Sequence, residues 1–189
     1  MTFILHDRKM IYIVVPGTGS TSLVQALKVG QTESVEQVTQ DKEHAAQFMH
    51  PDMNTKKHLT AEQAKYLIDE DIWNEYTKFG FVRKPFEWSR CIYRKGNINH
   101  VLGIDPGPSF LEFMRKLNKS PYSWLTNRSG EVLVDRIYRT EDLAYVGQEF
   151  DITMPWRNRT NNSKPAKCTQ EIEQIIQAKF KRELKHYNE

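Results

Sequence analysis

The sequence predicts an α/β fold: a single domain over residues 1–189, with a short, mainly parallel sheet flanked by helices. Three observations predict it. A strand, turn and helix pattern occurs twice, no internal repeat or low-complexity stretch interrupts the chain, and the composition suits one compact core. Of the 189 residues, 39% are hydrophobic and 27% charged, and a chain of this length buries roughly 70% of its unfolded surface.

The first pattern begins with Met10 to Val15, MIYIVV, a nearly continuous apolar run rich in β-branched residues that suits a strand covered on both faces. A glycine turn, Pro16 to Ser22, follows. Leu23, Ala26 and Leu27 then recur at helical spacing, and Gly30 is placed to stop that helix. Residues 31–58 form a polar excursion. Thr60 with Gln63 makes a capping box for a helix through Ala61, Ala64, Leu67 and Ile68. The second pattern is a strand at Thr77 to Val82, then Pro85 in a first helical turn and a helix through Trp88, Cys91 and Ile92.

Ser109 and Glu112 cap a short helix carrying Phe110, Phe113, Met114 and Leu117. Alternating apolar residues on either side of Asn127–Gly130 predict a hairpin between Tyr122 and Tyr138. A helix is expected over Glu141 to Phe150. From about Thr169, one last helix keeps Ile172, Ile175, Ile176, Phe180, Leu184 and Tyr187 on a single face.

Charge and cysteine usage narrow the function classes. Against 24 acidic residues stand 27 Lys and Arg, a net +3, too mild for a dedicated nucleic-acid binder. Any anion site is local. Cys91 and Cys168 are too few for a disulfide framework and lack metal-ligand spacing. Charged residues break the apolar runs of MTFILHDRKMIYIVV, which leaves neither a signal-peptide core nor a membrane span, so a cytoplasmic protein is expected.

Gly17, Thr18, Gly19, Ser20, Thr21 and Ser22 join a buried strand to a helix start, where unpaired amides and the positive dipole end favour an anion. The same residues also make an ordinary turn and N-cap. A Walker A loop is excluded, because residues 16–27 hold no lysine. The dinucleotide fingerprint fails too, with Ser22 at its third glycine.

Arg83 falls just after the second strand, at the carboxyl edge where open α/β sheets bind ligands, and its planar guanidinium suits a phosphate. Pairing with Glu87 is the alternative. Residues 83–95 hold five basic side chains and one acid. His58, just before the Thr60 cap, is a candidate proton acceptor, or merely closes the loop. His44, His50 and His58 lack the usual zinc spacing. Residues 156–167 carry four basic side chains and no acid, which suits either a solvated loop or an anion contact.

In order, the segments IYIVVPGTGSTSL, KKHLTAEQ, KFGFVRKPFEWSRCIY, VDRIYRTEDL and MPWRNRT resemble the sulfotransferases of the Golgi carbohydrate and bacterial type. That family runs from a P-K-T-G-G-T-S loop through a His segment, F-V-R-N-P-(x)5-S-x-Y and R-x-E-x-L to a late P-x-x-N-x-S loop. The resemblance implies a fold like that of P-loop NTP hydrolases and kinases. It also implies 3′-phosphoadenosine 5′-phosphosulfate (PAPS) as donor and a hydroxyl acceptor, among which carbohydrates are candidates. No metal is then required, because the loop amides and Arg83 can meet the donor's anionic charge, and the mild net charge and missing membrane span lead to no expected nucleic-acid or membrane partner.

Carried over by position, Thr18 to Ser22 cradle the 5′-phosphosulfate, Arg83 and Cys91 hold the 3′-phosphate, and His58 is the base. Arg157, Arg159 and Lys164 of the late loop approach the nucleotide. Among the departures from the pattern, those at Cys91 and Gly17 bear on the chemistry. Cys91 puts a weaker thiol donor where the family has Ser, and Ser89, two positions earlier, points to another helix face. Gly17 replaces the family Lys, and losing one preorganised donor to a developing charge costs roughly 3 to 4 kcal/mol. Lys9, Lys56, Lys57 and Lys164 are candidates to fill that gap. The rival readings are a catalytically impaired or inactive PAPS-binding protein and a polyanion binder.

Overall fold

A computed structural model of the chain describes residues 2–29, 35–38, 58–94, 102–105, 109–151 and 167–188. Its centre is one five-stranded sheet. The strands are β1 (Thr2–Leu5), β2 (Met10–Ile13), β3 (Val35–Val38), β4 (Thr77–Val82) and β5 (Arg136–Arg139), in spatial order β3-β1-β2-β4-β5.

Two pairings, β2 with β4 and β4 with β5, are parallel, while β1 runs antiparallel to both β2 and β3. The sheet is therefore mixed rather than mainly parallel. The reason is local: only His6–Lys9 separate β1 from β2, and so short a turn reverses the chain, whereas a parallel return needs a long crossover. The turn closes with Lys9 in the left-handed region, φ 49°, its N–H donating to the His6 carbonyl.

Helices cover both faces. They are α1 (Ser20–Val29), α2 (Ala61–Leu67), α3 (Glu70–Glu75), α4 (Pro85–Arg94), α5 (Phe110–Lys116), α6 (Leu143–Glu149), α7 (Gln170–Lys179) and α8 (Lys181–Asn188). Alternation along β2 sorts its side chains. Ile11 and Ile13 join Trp88, Ile92, Phe113 and Ile176 on one side, while Met10 and Tyr12 join Leu23, Leu27, Val146 and Phe150 on the other. Both Thr60 and Ser109 cap their helices as the sequence predicts.

The expected hairpin over 122–138 shrinks to one antiparallel bridge, Thr126 with Val132. Residues Pro121–Trp124 form a 3₁₀ turn instead, and the second arm becomes β5, drawn into parallel pairing with β4. The last helix is broken into α7 and α8 at Phe180, whose φ and ψ are −113° and 37°; Phe180 is buried and keeps the shared apolar face. No helix among the described residues is long and apolar enough to cross a membrane.

The end of α5 has an unusual cap. Lys179 Nζ of α7 donates to the carbonyls of Met114, Arg115 and Leu117 at 3.0, 2.6 and 2.7 Å, meeting acceptors that a helix end leaves unpaired. Lys179→Met is expected to lower stability by about 1–2 kcal/mol. Urea denaturation checks this, and an unchanged midpoint would count against the cap.

Candidate active site

Because β2 and β4 are adjacent and parallel, their carboxyl ends open on one edge of the sheet. From β2 the chain passes through Val14, Val15 and Pro16 into the glycine loop, then directly into the ten-residue helix α1. Thr18 is fully buried, and its hydroxyl donates inward to the Val15 carbonyl at 2.9 Å. Ser22 N donates to the Gly19 carbonyl at 3.0 Å. The amides of Ser20 and Thr21 open the helix, where no intrahelical acceptor exists, and the dipole adds positive potential there. Gly19 and Ser20 are half-buried and Thr21 is exposed.

Close neighbours account for both glycines. Gly17 has φ +81°, and a Cβ on it would stand 3.0 Å from Ile92 Cδ1 and 3.2 Å from the Trp88 ring. Gly19 has φ +78°, and its Cβ would stand 2.6 Å from Leu143 Cδ1. Side-chain-bearing residues rarely adopt such φ values. In addition Trp88 Nε1 donates to the Pro16 carbonyl at 2.7 Å. The loop is thus clamped between α4 and the start of α6.

Arg83 reaches the same place from the end of β4. Its Nη1 donates to the Gly17 carbonyl at 3.2 Å, and its Nη2 stands 4.0 Å from Glu87 Oε2. Glu87 is held more closely by Arg90, at 2.5 Å. Glu87 is thus shared by the two arginines, with the closer contact to Arg90. With five donors on a guanidinium and a side chain 26% exposed, Arg83 keeps donors for an anion.

His58 arrives from the start of α2, its Nδ1 3.3 Å from the Val14 carbonyl. A carbonyl only accepts, so that contact places the proton on Nδ1 and leaves Nε2 as the basic nitrogen of the neutral ring. The loop, Arg83 and His58 therefore meet at one sheet edge.

Other predicted residues fare differently. Cys91 lies on α4 and is buried, a free thiol. Ser89 is wholly enclosed, its hydroxyl without a hydrogen-bond partner. Lys9 sits at the opposite end of β2, 3.5 Å from Glu75 Oε2, which removes it as the cation for the loop. Arg157, Arg159 and Lys164, with Lys56, Lys57, His44 and His50, lie outside the described residues. Sequence reasoning missed the clamp formed by Trp88, Ile92 and Leu143. A signal existed only for Leu143, the last residue of the R-x-E-x-L segment.

A family model described as "Sulfotransferase family" matches residues 1–144. The chain belongs to this family. Neither a curated protein nor a solved structure matches it. Membership makes sulfuryl transfer in general the reaction class, with a nucleotide sulfate donor and an acceptor. The part matched as sulfotransferase contains the whole sheet, the glycine loop, His58, Arg83 and the Arg139–Leu143 segment, while α7 and α8 lie beyond it. Among the described residues of this sulfotransferase-family chain, no three His, Cys, Asp or Glu side chains are grouped to hold a metal ion.

Proposed function

We propose that the protein transfers a sulfuryl group from PAPS to a hydroxyl acceptor, with carbohydrates among the acceptors to test. In this reading the amides of the Gly17–Ser22 loop hold the 5′-phosphosulfate and Arg83 holds the 3′-phosphate, assisted by the Cys91 thiol. The acceptor oxygen forms its bond to sulfur as the bond from sulfur to the 5′-phosphate oxygen breaks. That electron pair leaves on the phosphate, and the acceptor proton passes to His58 Nε2. The basic residues Arg157, Arg159 and Lys164 are assigned to the nucleotide by family resemblance alone.

One observation carries the reading: the Arg83 guanidinium stands at the glycine loop while its neighbour Glu87 lies closer to Arg90. Calorimetry with 3′,5′-ADP and 5′-AMP tests it. Arg83→Ala is expected to weaken 3′,5′-ADP by about 10- to 100-fold, the range for a charged hydrogen bond, and to leave 5′-AMP unaffected. Equal affinities of the wild-type chain for the two nucleotides would remove the assignment.

Gly17 favours a second reading, nucleotide binding with slow or no turnover, because the loop bends where the family places its lysine. Labelled-sulfate transfer to sugars and phenols separates the two.

A further inference from the structure

The family match ends at residue 144, yet α8 reaches back to the sheet edge that carries Arg83. Buried Glu183 accepts a hydrogen bond from Tyr122 N at 3.2 Å, and Arg139 Nη2 donates to the His186 carbonyl at 2.8 Å. The Tyr187 hydroxyl lies 3.2 Å from the Val82 carbonyl oxygen and 2.9 Å from Glu141 Oε2. With one proton it donates to one of them at a time, and the pair holds it in place. Burial first, then the bond to Glu141, pushes the Tyr187 pKa upward, so the hydroxyl stays a donor.

The Val82 carbonyl also accepts from Thr140 Oγ1 at 2.9 Å. Val82 ends β4, and its carbonyl shares a rigid peptide plane with the Arg83 nitrogen. Thr140 thus bonds the plane from which the Arg83 side chain springs, and the Tyr187 hydroxyl shares its proton between that plane and Glu141. The Tyr187 ring is itself flanked by the Arg139 guanidinium at 5.3 Å and Lys84 Nζ at 6.0 Å, both within cation–π range.

We infer that Tyr187 is a positioning residue for Arg83: a side chain from outside the matched residues that, with Thr140, sets where the guanidinium stands against the glycine loop. The inference rests on the nucleotide reading of that site.

Calorimetry on the full chain with 3′,5′-ADP and 5′-AMP provides the test. Tyr187→Phe keeps the ring and removes the hydroxyl; it is expected to weaken 3′,5′-ADP by about three- to tenfold with 5′-AMP unchanged. Thr140→Val, which keeps the branched shape beside Gly19, is an independent variant with the same expected direction. In an Arg83→Ala background, Tyr187→Phe is expected to add no further loss, since it acts through that guanidinium. If the wild-type chain discriminates between the nucleotides and both single variants keep its ratio, the positioning role is overturned and the nucleotide reading stands. If the wild-type chain does not discriminate, the nucleotide reading falls and takes this inference with it.

Discussion

Replacing His58 by asparagine is expected to lower kcat for sulfuryl transfer by about 10²–10⁴-fold, the usual contribution of a positioned general base. Affinity for 3′,5′-ADP should hold, because the proposed function assigns the nucleotide contacts to the loop and Arg83. Asparagine is the informative choice. Its side-chain amide can still donate toward the Val14 carbonyl, as Nδ1 does now, but it has no nitrogen able to take a proton. Single-turnover transfer measured beside calorimetry separates chemistry from binding. A variant that turns over at the wild-type rate would remove His58 from the mechanism.

Gly17→Lys is expected to destabilise the fold by about 2–4 kcal/mol, combining the cost of a left-handed L-residue with overpacking against a filled neighbour. Resemblance alone makes this substitution look like a repair, since the P-K-T-G-G-T-S pattern that the loop resembles has lysine there. The loop argues otherwise. At φ +81° the new Cβ would press on Ile92 and Trp88, both fully buried, and the Pro16–Trp88 hydrogen bond ties the backbone to the same helix. Urea unfolding gives the readout. A lysine variant with an unchanged midpoint and faster transfer would show that the loop tolerates the ordinary family geometry.

The two strand, turn and helix units were legible because their signals are local. Apolar runs, a glycine turn, a first-turn Pro85, the capping box at Thr60 and the hydroxyl cap at Ser109 each lie within a few residues of what they specify. What the reading missed depends on partners far away in the chain. β5 pairs with β4, in the register Phe79 with Arg136, and nothing near Arg136 announces that neighbour; alternation around Asn127–Gly130 predicts the Thr126–Val132 bridge but not where the pairing stops. β1 was hidden differently. Its TFIL run is only four residues long, too short to show a period, and the HDRK that separates it from β2 suits a reversing turn no better than a break in an apolar segment.

At the site, Arg83, His58 and the glycine loop could be named from type and order because each abuts a strand or helix end. Their mutual contacts could not. Glu87 shows why: sequence spacing offers it to Arg83 and Arg90 alike, and only packing sets it at 2.5 Å from Arg90 against 4.0 Å from Arg83. The break at Phe180 carries no proline or glycine to mark it, since the apolar face continues across it.

The indole that grips Pro16 has an optical corollary. Trp88 is a fluorophore whose ring nitrogen is bonded to the loop itself, so displacement of that loop alters the surroundings of an emitting group. Occupancy of the cleft is then convertible into an intrinsic light signal, without a dye or a radioactive label, once the other indoles have been replaced.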